Sequence, residues 1–429
     1  MSTSGRDDDA GSEEVEEESA DAKIERLATE IEELKASRVL ELSVEWFQIK
    51  TDIKNRDIER LLLIEKKRCD SVVKEYFEEN PHVLEAVPEC PICLEKIWDA
   101  AVSIRYACCG KLICKKCKLQ GGNAFYTCPL CRGEAPESNE DWDSLTKEKA
   151  DSGIVWAQAA MGRKYLVGLD GVPKDVDKAL SLLHEAAEKG SARAKTALGE
   201  YYYQIANYEE ARRWHEAAAA EGEIVALGQL GLMMKNGLAF DQNEQTRAEA
   251  FRLFTISATL FHYSFNPPAM ELSRFFLDSP PVMLHYLRPF VEEGNTSKGV
   301  MENYAVGLVK MTIEYYSPYG DNIVWAPGLV PGFSPVPEAM FWYRRSDARA
   351  RSPDDVDCPF ARMEQKIRER CANCTIPLDR ERKMCCVECK AMYYCGRDCQ
   401  AAHWKAGHKK DCVKKLKKKL KAAGTLVEL

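Results

Sequence analysis

The sequence predicts a mainly α protein, in which a solenoid of helical-hairpin repeats is flanked by two small cysteine-rich fingers and by disordered tails. Related segments recur from residue 150 onward with a period in the thirties, which is typical of stacked helical hairpins. Nearly all of the 18 cysteines lie in two clusters, at 90–131 and 358–412. Nine acidic residues and one arginine among residues 1–22 give −8, whereas nine lysines and one aspartate among residues 405–421 give +8.

The repeats are marked by aligned glycines. Three segments share one glycine within an apolar helical pattern: "AQAAMGRKYLVG" (157–168), "AKTALGEYYYQI" (194–205) and "ALGQLGLMMKNG" (226–237). The aligned positions are Gly162, Gly199 and Gly231, at steps of 37 and 32. The helices between them, "KALSLLHEAAEKG" (178–190) and "EARRWHEAAAAEG" (210–222), are also in step, and each ends on a glycine typical of a helix C-cap.

The strings "GLDGVPKDVDKAL" and "AAEKGSARAKTALGEYY" resemble the Sel-one-like class of tetratricopeptide-type repeats. We expect the repeat region to cover residues 150–310, with a degenerate third unit at 226–276 and a candidate fourth at 289–309. The resemblance implies a curved scaffold that binds protein partners.

The second cysteine cluster has the spacing of a two-zinc finger. Within 42 residues, seven of the eight cysteines and one of the two histidines form C-x2-C, C-x2-C, C-x3-C and H-x3-C pairs. Each pair gives one metal ion two ligands from a single turn, and eight ligands suffice for two tetrahedral zinc ions. A segment this small cannot bury an adequate apolar core, so zinc binding must supply folding free energy on the order of 10 kcal/mol per site.

The string "YYCGRDCQAAHWKAGHKKDC" closely resembles the MYND-type zinc finger, which would cover residues 371–412. The resemblance implies two interleaved ligand sets: Cys371, Cys374, Cys395 and Cys399 for one zinc, and Cys386, Cys389, His408 and Cys412 for the other. It leaves Cys385 as a spare cysteine and His403 as a non-ligand. Members of the family bind peptides, often proline-rich, and some are lysine methyltransferases, but a methyltransferase string such as "NHSC" does not occur here.

The first cluster, with "CPIC", "CCGKLICKKC" and "CPLC", resembles a RING finger over residues 88–136. The resemblance assigns seven ligands: Cys90, Cys93, Cys114 and Cys117 to one zinc, and Cys109, Cys128 and Cys131 to a second. The eighth position, a histidine in the family, is Lys111, whose cation binds no zinc. Its replacement is Cys108, Asp99 or a water, and we expect adjacent cysteines to chelate one metal only with backbone strain. The finger therefore holds one or two zinc ions.

Three residues match positions by which RING fingers act as ubiquitin ligases. In that family Ile92 and Pro129 would contact the ubiquitin-conjugating enzyme, and Arg132 would bridge that enzyme and ubiquitin. An arginine suits this role because its planar fork can hold two acceptors at once. Catalysis would then be positional, without a nucleophile on this chain. The alternative is a RING-shaped scaffold without activity.

The remaining N-terminal and central segments contain no chemical motif. Residues 1–21 are acidic and nearly without apolar groups, which predicts disorder. Residues 22–80 should be helical, and they open with a heptad seam of Ile24, Leu27, Ile31 and Leu34. The seam either packs on the chain itself or forms a dimerising coiled coil. Residues 311–365 are proline- and glycine-rich and then charged, and we expect irregular structure with a helix around 338–350.

Residues 413–429 predict a basic helical tail with one apolar stripe, formed by Val413, Leu416, Leu420 and Ala423. The helix either docks this stripe on the MYND finger or serves as a nuclear import signal, a nucleic-acid patch or a membrane-surface helix. The tail lacks the interleaved aromatic residues that stack on bases, which argues against nucleic acid.

Clustered C-x-x-C pairs indicate a reducing compartment, the cytoplasm, the nucleus or both, with zinc rather than disulfides. The acidic N-terminus is unlike a signal peptide, and we expect no membrane span. The leading hypothesis is a zinc-binding scaffold that holds partner proteins through the repeats and the MYND finger. The alternative is a RING-type ubiquitin ligase that presents repeat-bound clients to a conjugating enzyme. A third hypothesis is a nuclear regulator recruited through the basic tail.

Overall fold

The computed structural model describes residues 18–37, 44–97, 104–121, 127–133, 138–169, 171–260, 267–292, 298–315, 336–345, 368–369, 371–374, 376–378 and 384–422. Cys358, Asp99, Ala423, residues 1–17 and most of the segment 311–365 lie outside these described residues. The described part is mainly α-helical, which confirms the predicted fold class. The chain divides into two compact units, residues 1–67 and 68–429.

The first unit contains helix α1 (Ala20–Ala36) and the first part of helix α2 (Val44–Glu79). The Ser19 hydroxyl caps α1 by accepting a hydrogen bond from the Ala22 amide. Three ion pairs join the two helices in an antiparallel arrangement: Lys67–Asp21, Lys23–Glu59 and Arg56–Glu30. Leu27 and Ile31, at the centre of the heptad seam, are buried within the single chain.

The second unit begins with the end of α2 and with helix α3 (Pro81–Ala86). A two-stranded antiparallel ribbon follows, in which β1 (Ile104–Arg105) pairs with β2 (Leu112–Ile113). Helix α4 (Lys115–Gly121) completes the described secondary structure of the first finger. Such a small ribbon and helix bury little apolar surface, so that other bonds must hold the finger together.

The solenoid follows as a series of antiparallel helices: α5 (Asn139–Asp151), α6 (Val155–Val167), α7 (Val176–Glu188), α8 (Ala192–Gln204), α9 (Tyr208–Ala219), α10 (Ile224–Asn236) and α11 (Glu244–Leu260). The hairpins are α6–α7, α8–α9 and α10–α11. Side chains of Asp175, Ser191 and Asn207 cap the N-termini of α7, α8 and α9.

In each hairpin a glycine of the first helix lies against one bulky side chain of the second helix. A Cβ atom on Gly162 would lie 2.7 Å from Leu183 Cγ, closer than two carbon atoms can approach. The equivalent pairs are Gly199 with His215 and Gly231 with Phe254. The aligned glycines of the sequence therefore mark the places where paired helices approach too closely for a side chain.

The solenoid continues through α12 (Pro267–Ser273), α13 (Pro280–Glu292), α14 (Lys298–Tyr315) and α15 (Val336–Arg345). The second finger follows with β3 (Met384–Cys385) antiparallel to β4 (Tyr393–Tyr394), then α16 (Arg397–His403). One hydrophobic core contains buried residues of both parts, among them Leu287, Tyr304, Trp342, Cys386 and Tyr394. The finger and the last helices therefore share one interior.

The C-terminal helix Lys414–Ala422, here called the tail helix, packs on the second finger. Val413 and Leu420 are buried in the shared core, and Leu416 packs against it. Lys417 donates a hydrogen bond to the Glu388 carbonyl. The three described residues of the apolar stripe thus pack inside the protein, which favours docking on the finger over a membrane-surface helix. Among the described helices, none is long and apolar enough to cross a membrane.

His215 is an unusual member of the solenoid core, because Leu183 and Phe254 hold the equivalent places in the neighbouring hairpins. The His215 side chain is 1% exposed, and neither ring nitrogen has a hydrogen-bond partner among the described residues. Burial lowers the pKa of His215 from 6.5 to about 4, so the ring is neutral in the folded protein at neutral pH.

We predict that His215 makes the solenoid acid-sensitive. His215 binds a proton below pH 6.5 in the unfolded chain but only near pH 4 in the folded chain. The contribution of the neutral, buried His215 to the free energy of unfolding is therefore complete above pH 6.5 and is lost as pH falls toward 4. The free energy of unfolding should drop by about 2 kcal/mol more in wild type than in His215→Leu between neutral pH and about pH 5. Thermal unfolding of both proteins measures the difference, and parallel pH profiles would contradict the prediction.

Candidate metal centres

The first finger brings its cysteines together in two sets of four. One set contains the four residues that the sequence assigned to a first zinc: Cys90, Cys93, Cys114 and Cys117. The ligand atoms of the set lie within 4.8 Å of one another, and Cys93 Sγ is 3.6 Å from Cys114 Sγ. Cys90 is fully buried, at 0% exposure, behind the apolar residues of the finger.

The second set contains Cys108 as its fourth member, beside Cys109, Cys128 and Cys131. Its sulfur atoms lie 3.4 Å apart for Cys131–Cys108 and 3.6 Å apart for Cys109–Cys128. Lys111, at the family's histidine position, is exposed. Of the three alternatives for the eighth ligand, the geometry favours Cys108, whereas Asp99 lies outside the described residues.

The loop 106–111 shows how adjacent cysteines can face one metal ion. The amide of Tyr106, its first residue, donates a hydrogen bond to the Lys111 carbonyl at 3.0 Å. The amide of Gly110, its fifth residue, donates to the Tyr106 carbonyl at 2.7 Å. The C-x-x-C turns that begin at Cys90 and Cys128 have the same two hydrogen bonds. The loop is therefore a turn of the same kind, with its thiols at the third and fourth positions instead of the first and fourth.

The fifth residue of each turn has a left-handed backbone. It is Leu94 (φ 62°), Arg132 (φ 59°) and, in the loop with the adjacent cysteines, Gly110 (φ 72°). Neither Cys108 nor Cys109 has a positive φ. The left-handed conformation that the turn requires thus falls on a glycine, which adopts it readily, and not on either of the adjacent cysteines.

The first solenoid hairpin supports this loop from outside the finger. A Cβ atom on Gly110 would overlap the indole ring of Trp156 in α6. The Arg105 guanidinium lies 5.5 Å from the Trp156 ring and donates a hydrogen bond to the Gly110 carbonyl. Burial, together with the nearby charge of Arg193, lowers the pKa of Arg105 to about 10. The loop is thus clamped between the ribbon of its own finger and the repeats.

Backbone amides favour the thiolate form of several ligands. At Cys90 burial raises the pKa of the thiol, but amide donors that include Cys114 N, 3.4 Å from Sγ, outweigh burial and lower the pKa to about 6. At Cys131 a hydrogen bond with the Gly133 backbone lowers the pKa to about 7. Zinc binds the thiolate, so these amides favour metal binding at neutral pH.

The second finger brings together the two interleaved sets that the MYND resemblance implied: Cys371, Cys374, Cys395 and Cys399, and Cys386, Cys389, His408 and Cys412. In the first set, Cys374 and Cys399 lie 3.6 Å and 3.5 Å from Cys395, measured between sulfurs. In the second set, His408 Nε2 faces Cys389 Sγ at 3.6 Å, and all four residues are buried.

His403 lies outside both sets although it is adjacent to one. Its Nδ1 is 3.0 Å from the Tyr394 hydroxyl, and its ring stacks on His408 with the centroids 5.0 Å apart. Burial lowers the pKa of His403 to about 4, so the ring is neutral and packs against the ligand. The Tyr394–His403 pair and the Trp156 clamp were not predicted from the sequence, because neither has a spacing signature.

The donor sets fit zinc. A tetrahedral zinc with Zn–S bonds of about 2.3 Å places its sulfur ligands about 3.8 Å apart, near the spacing in all four sets. Disulfide sulfurs would be about 2.05 Å apart, and none of the described cysteines forms a disulfide. A zinc ion held by four protein ligands leaves no position for a substrate and supplies folding free energy. These are structural centres, and the zinc prediction is confirmed.

The three candidate ligase residues lie at the surface of the first finger. Ile92 is 43% exposed, and Pro129 and Arg132 are exposed beside the second metal set. Leu94, which no sequence motif singled out, is 73% exposed although it is apolar. Ile92 and Leu94 therefore place two exposed apolar side chains on the C-x-x-C turn that begins at Cys90.

Comparison with known proteins identifies the second finger. The family model of the MYND finger matches residues 371–412, which confirms the recognised resemblance. Chitin synthase regulatory factor 4 of Schizosaccharomyces pombe is 33% identical over 84 residues, which cover 20% of this chain and 13% of that protein. The E3 ubiquitin-protein ligase RNF181 of Xenopus laevis is 31% identical over 71 residues, 17% of this chain and 45% of that protein. The chain thus spans less than half the length of either relative.

Two solved structures are also similar to this chain. A Sel1 repeat protein from Oxalobacter formigenes is 20% identical with a TM-score of 0.36, covering 51% of this chain and 80% of its own. A protective antigen of uropathogenic Escherichia coli that displays an SLR fold is 15% identical with a TM-score of 0.28, covering 80% of this chain and 73% of its own.

We predict that Cys108 is a zinc ligand and that Cys385 is not. The purified chain should contain four zinc ions, one for each set of ligands. Cys108→Ser should lose one of them, because a serine hydroxyl stays protonated at neutral pH and does not replace a thiolate. Cys385→Ser, also beside a ligand cysteine, is the matched control and should keep all four. Metal analysis by plasma emission gives the zinc content, and a full complement in Cys108→Ser would refute the assignment.

Proposed function

We propose that this chain is a zinc-stabilised scaffold for protein–protein interactions, with the helical repeats and the MYND finger holding partner proteins. The observation that carries the proposal is the core shared by the MYND finger and the last solenoid helices. A finger built into a solenoid presents its surface in a fixed relation to the repeats. Solenoids of this kind offer extended surfaces to partners, and four closed zinc centres supply stability without chemistry.

The exposed apolar residues of the MYND finger support a peptide partner. Val387, between two zinc ligands, is 79% exposed, and Ile376 is 58% exposed. Apolar side chains held on rigid metal-supported turns can contact a peptide without losing much conformational freedom. A proline-rich peptide suits such a surface, because an extended polyproline helix is already ordered before it binds.

The second candidate function is ubiquitin transfer through the RING-like finger. The exposure of Ile92 and Leu94, with Arg132 directly after the last cysteine, favours it. The partial similarity to a ubiquitin ligase supports it too. In this proposal the finger binds a charged conjugating enzyme, Arg132 restrains the bound ubiquitin, and the repeats hold the client.

We further propose that the protein works in the cytoplasm, the nucleus or both, where cysteines stay reduced and available to zinc. The exposed lysines of the tail helix, such as Lys415 and Lys418, suit an import receptor or an acidic nuclear partner. A dimer through α1 is the less favoured assembly, because Leu27 and Ile31 are already buried in the single chain.

Two variants should separate the two functions. Val387→Asp should weaken binding of a labelled proline-rich peptide about tenfold, because it places a charge in an apolar contact. Arg132→Ala should leave that binding unchanged but abolish accelerated discharge of ubiquitin from a panel of charged conjugating enzymes. Each variant is the control for the other, and fluorescence anisotropy and single-turnover discharge are the measurements.

The outcomes distinguish the proposals. Peptide binding without discharge by the wild type would reject the ligase and support the scaffold. Discharge without peptide binding would reject the MYND finger as the peptide site. If both variants lose both properties, the fingers do not act separately and this division of roles is wrong.

A further inference from the structure

A cleft of about 290 Å³ lies beside the third hairpin, outside every metal centre. Its walls come from the end of α10, the start of α11 and the turn of 3-10 helix Arg274–Phe276. Surface clefts that combine a few converging polar groups with apolar walls are the usual places where ligands bind. The chemistry of this cleft is cationic.

Three basic residues line the cleft: Lys235, Arg247 and Arg274. Two of them share one buried carboxylate, Glu271, whose side chain is 7% exposed. Arg274 Nη1 donates to both Glu271 oxygens, at 2.8 Å and 3.0 Å, and Lys235 pairs with the same group. Of the three cations that line the cleft, Lys235 and Arg274 are thus already paired with a carboxylate.

Arg247 supplies the cation that is available to a ligand. Its side chain is exposed and makes no ion pair with any described residue. The neighbouring amide side chains are partly used. Gln242 Nε2 donates to the Met234 carbonyl at 3.1 Å, and Asn243 Oδ1 caps α11 by accepting from Thr246 N at 2.8 Å. The Arg247 guanidinium and the Asn243 amide nitrogen remain as donors, and both suit an anion.

One wall of the cleft is apolar. Phe275 is 40% exposed, and its ring packs against Phe251 with the centroids 4.9 Å apart, so its position is fixed. An acidic side chain at Arg247 would place a neighbouring apolar side chain of the same peptide near Phe275. Asp241 and Glu244, next to lining residues in the sequence, are exposed and would repel any run of negative charges, so the site suits a ligand with a single anionic group and disfavours a polynucleotide.

We propose that this cleft binds a short segment of a partner protein that carries one anionic side chain, which contacts Arg247, and an adjacent apolar side chain, which contacts Phe275. The inference rests on the proposed scaffold function and names one class of partner for the repeats. The anionic group is a carboxylate or a phosphoryl group, since both accept from a guanidinium fork.

The test uses the full zinc-loaded chain and short labelled peptides made of leucine with glutamate, phosphoserine or glutamine. The glutamate or the phosphoserine peptide should bind, whereas the glutamine peptide should not. Arg247→Glu should weaken binding about tenfold, because the variant loses a charge-assisted hydrogen bond to the peptide's anion and places a negative charge beside it. Arg213→Glu, the same change at another exposed arginine, which lies on α9 and pairs with Glu210, is the control and should bind like wild type. Phe275→Ala should weaken binding as well.

Equal affinity of wild type and Arg247→Glu would overturn the proposal, as would failure of both anionic peptides to bind. Inorganic phosphate that competes as well as the peptides would overturn the peptide assignment, since Phe275 would then contribute nothing. Preference between glutamate and phosphoserine identifies the source of the anion. A chain that fails here but still binds the proline-rich peptide leaves the scaffold proposal standing.

Discussion

Tetrahedral coordination of zinc, by cysteine sulfurs and the His408 imidazole, is the constraint on which both fingers depend. In its described residues each finger has a two-stranded ribbon and short helices, and these cannot bury enough apolar surface to fold alone. Four ligand atoms must meet within 4.8 Å in each of four places. The turns, the left-handed residues and the thiolate-stabilising amides all follow from this requirement. The metal centres therefore act as the cores of segments that would otherwise lack one.

The fingers are also part of the solenoid. The loop with Cys108 and Cys109 rests on Trp156 of the first hairpin, and the buried MYND cysteines belong to the same core as α13 to α15. Partner-binding surfaces at either finger thus keep a fixed position relative to the repeats. Such rigidity suits a scaffold, because a partner loses little conformational entropy when it meets a preformed surface.

The second finger and the repeats could be predicted from the sequence, because the residues that each of them requires lie at short, regular spacings. Zinc ligands two or three residues apart need one turn, and helical hairpins need a glycine at each crossing. The eighth ligand of the first finger could not be chosen by spacing, since Cys108 depends on a turn geometry that sequence does not display. The support from Trp156 also left no signal, because it joins residues far apart in the chain and involves ordinary core side chains.

Hydrogen exchange of the whole chain with and without a zinc chelator, followed by mass spectrometry, tests whether the fingers and the solenoid share one interior. If the fingers and the solenoid share their interior, zinc removal should speed exchange in α13, α14 and α15 as well as in the MYND finger. Helix α8, which packs between α7 and α9 in the middle of the repeats, should keep its protection and serves as the internal reference. Faster exchange confined to the two fingers would contradict a shared interior, because the fingers would then be separate modules on an independent solenoid.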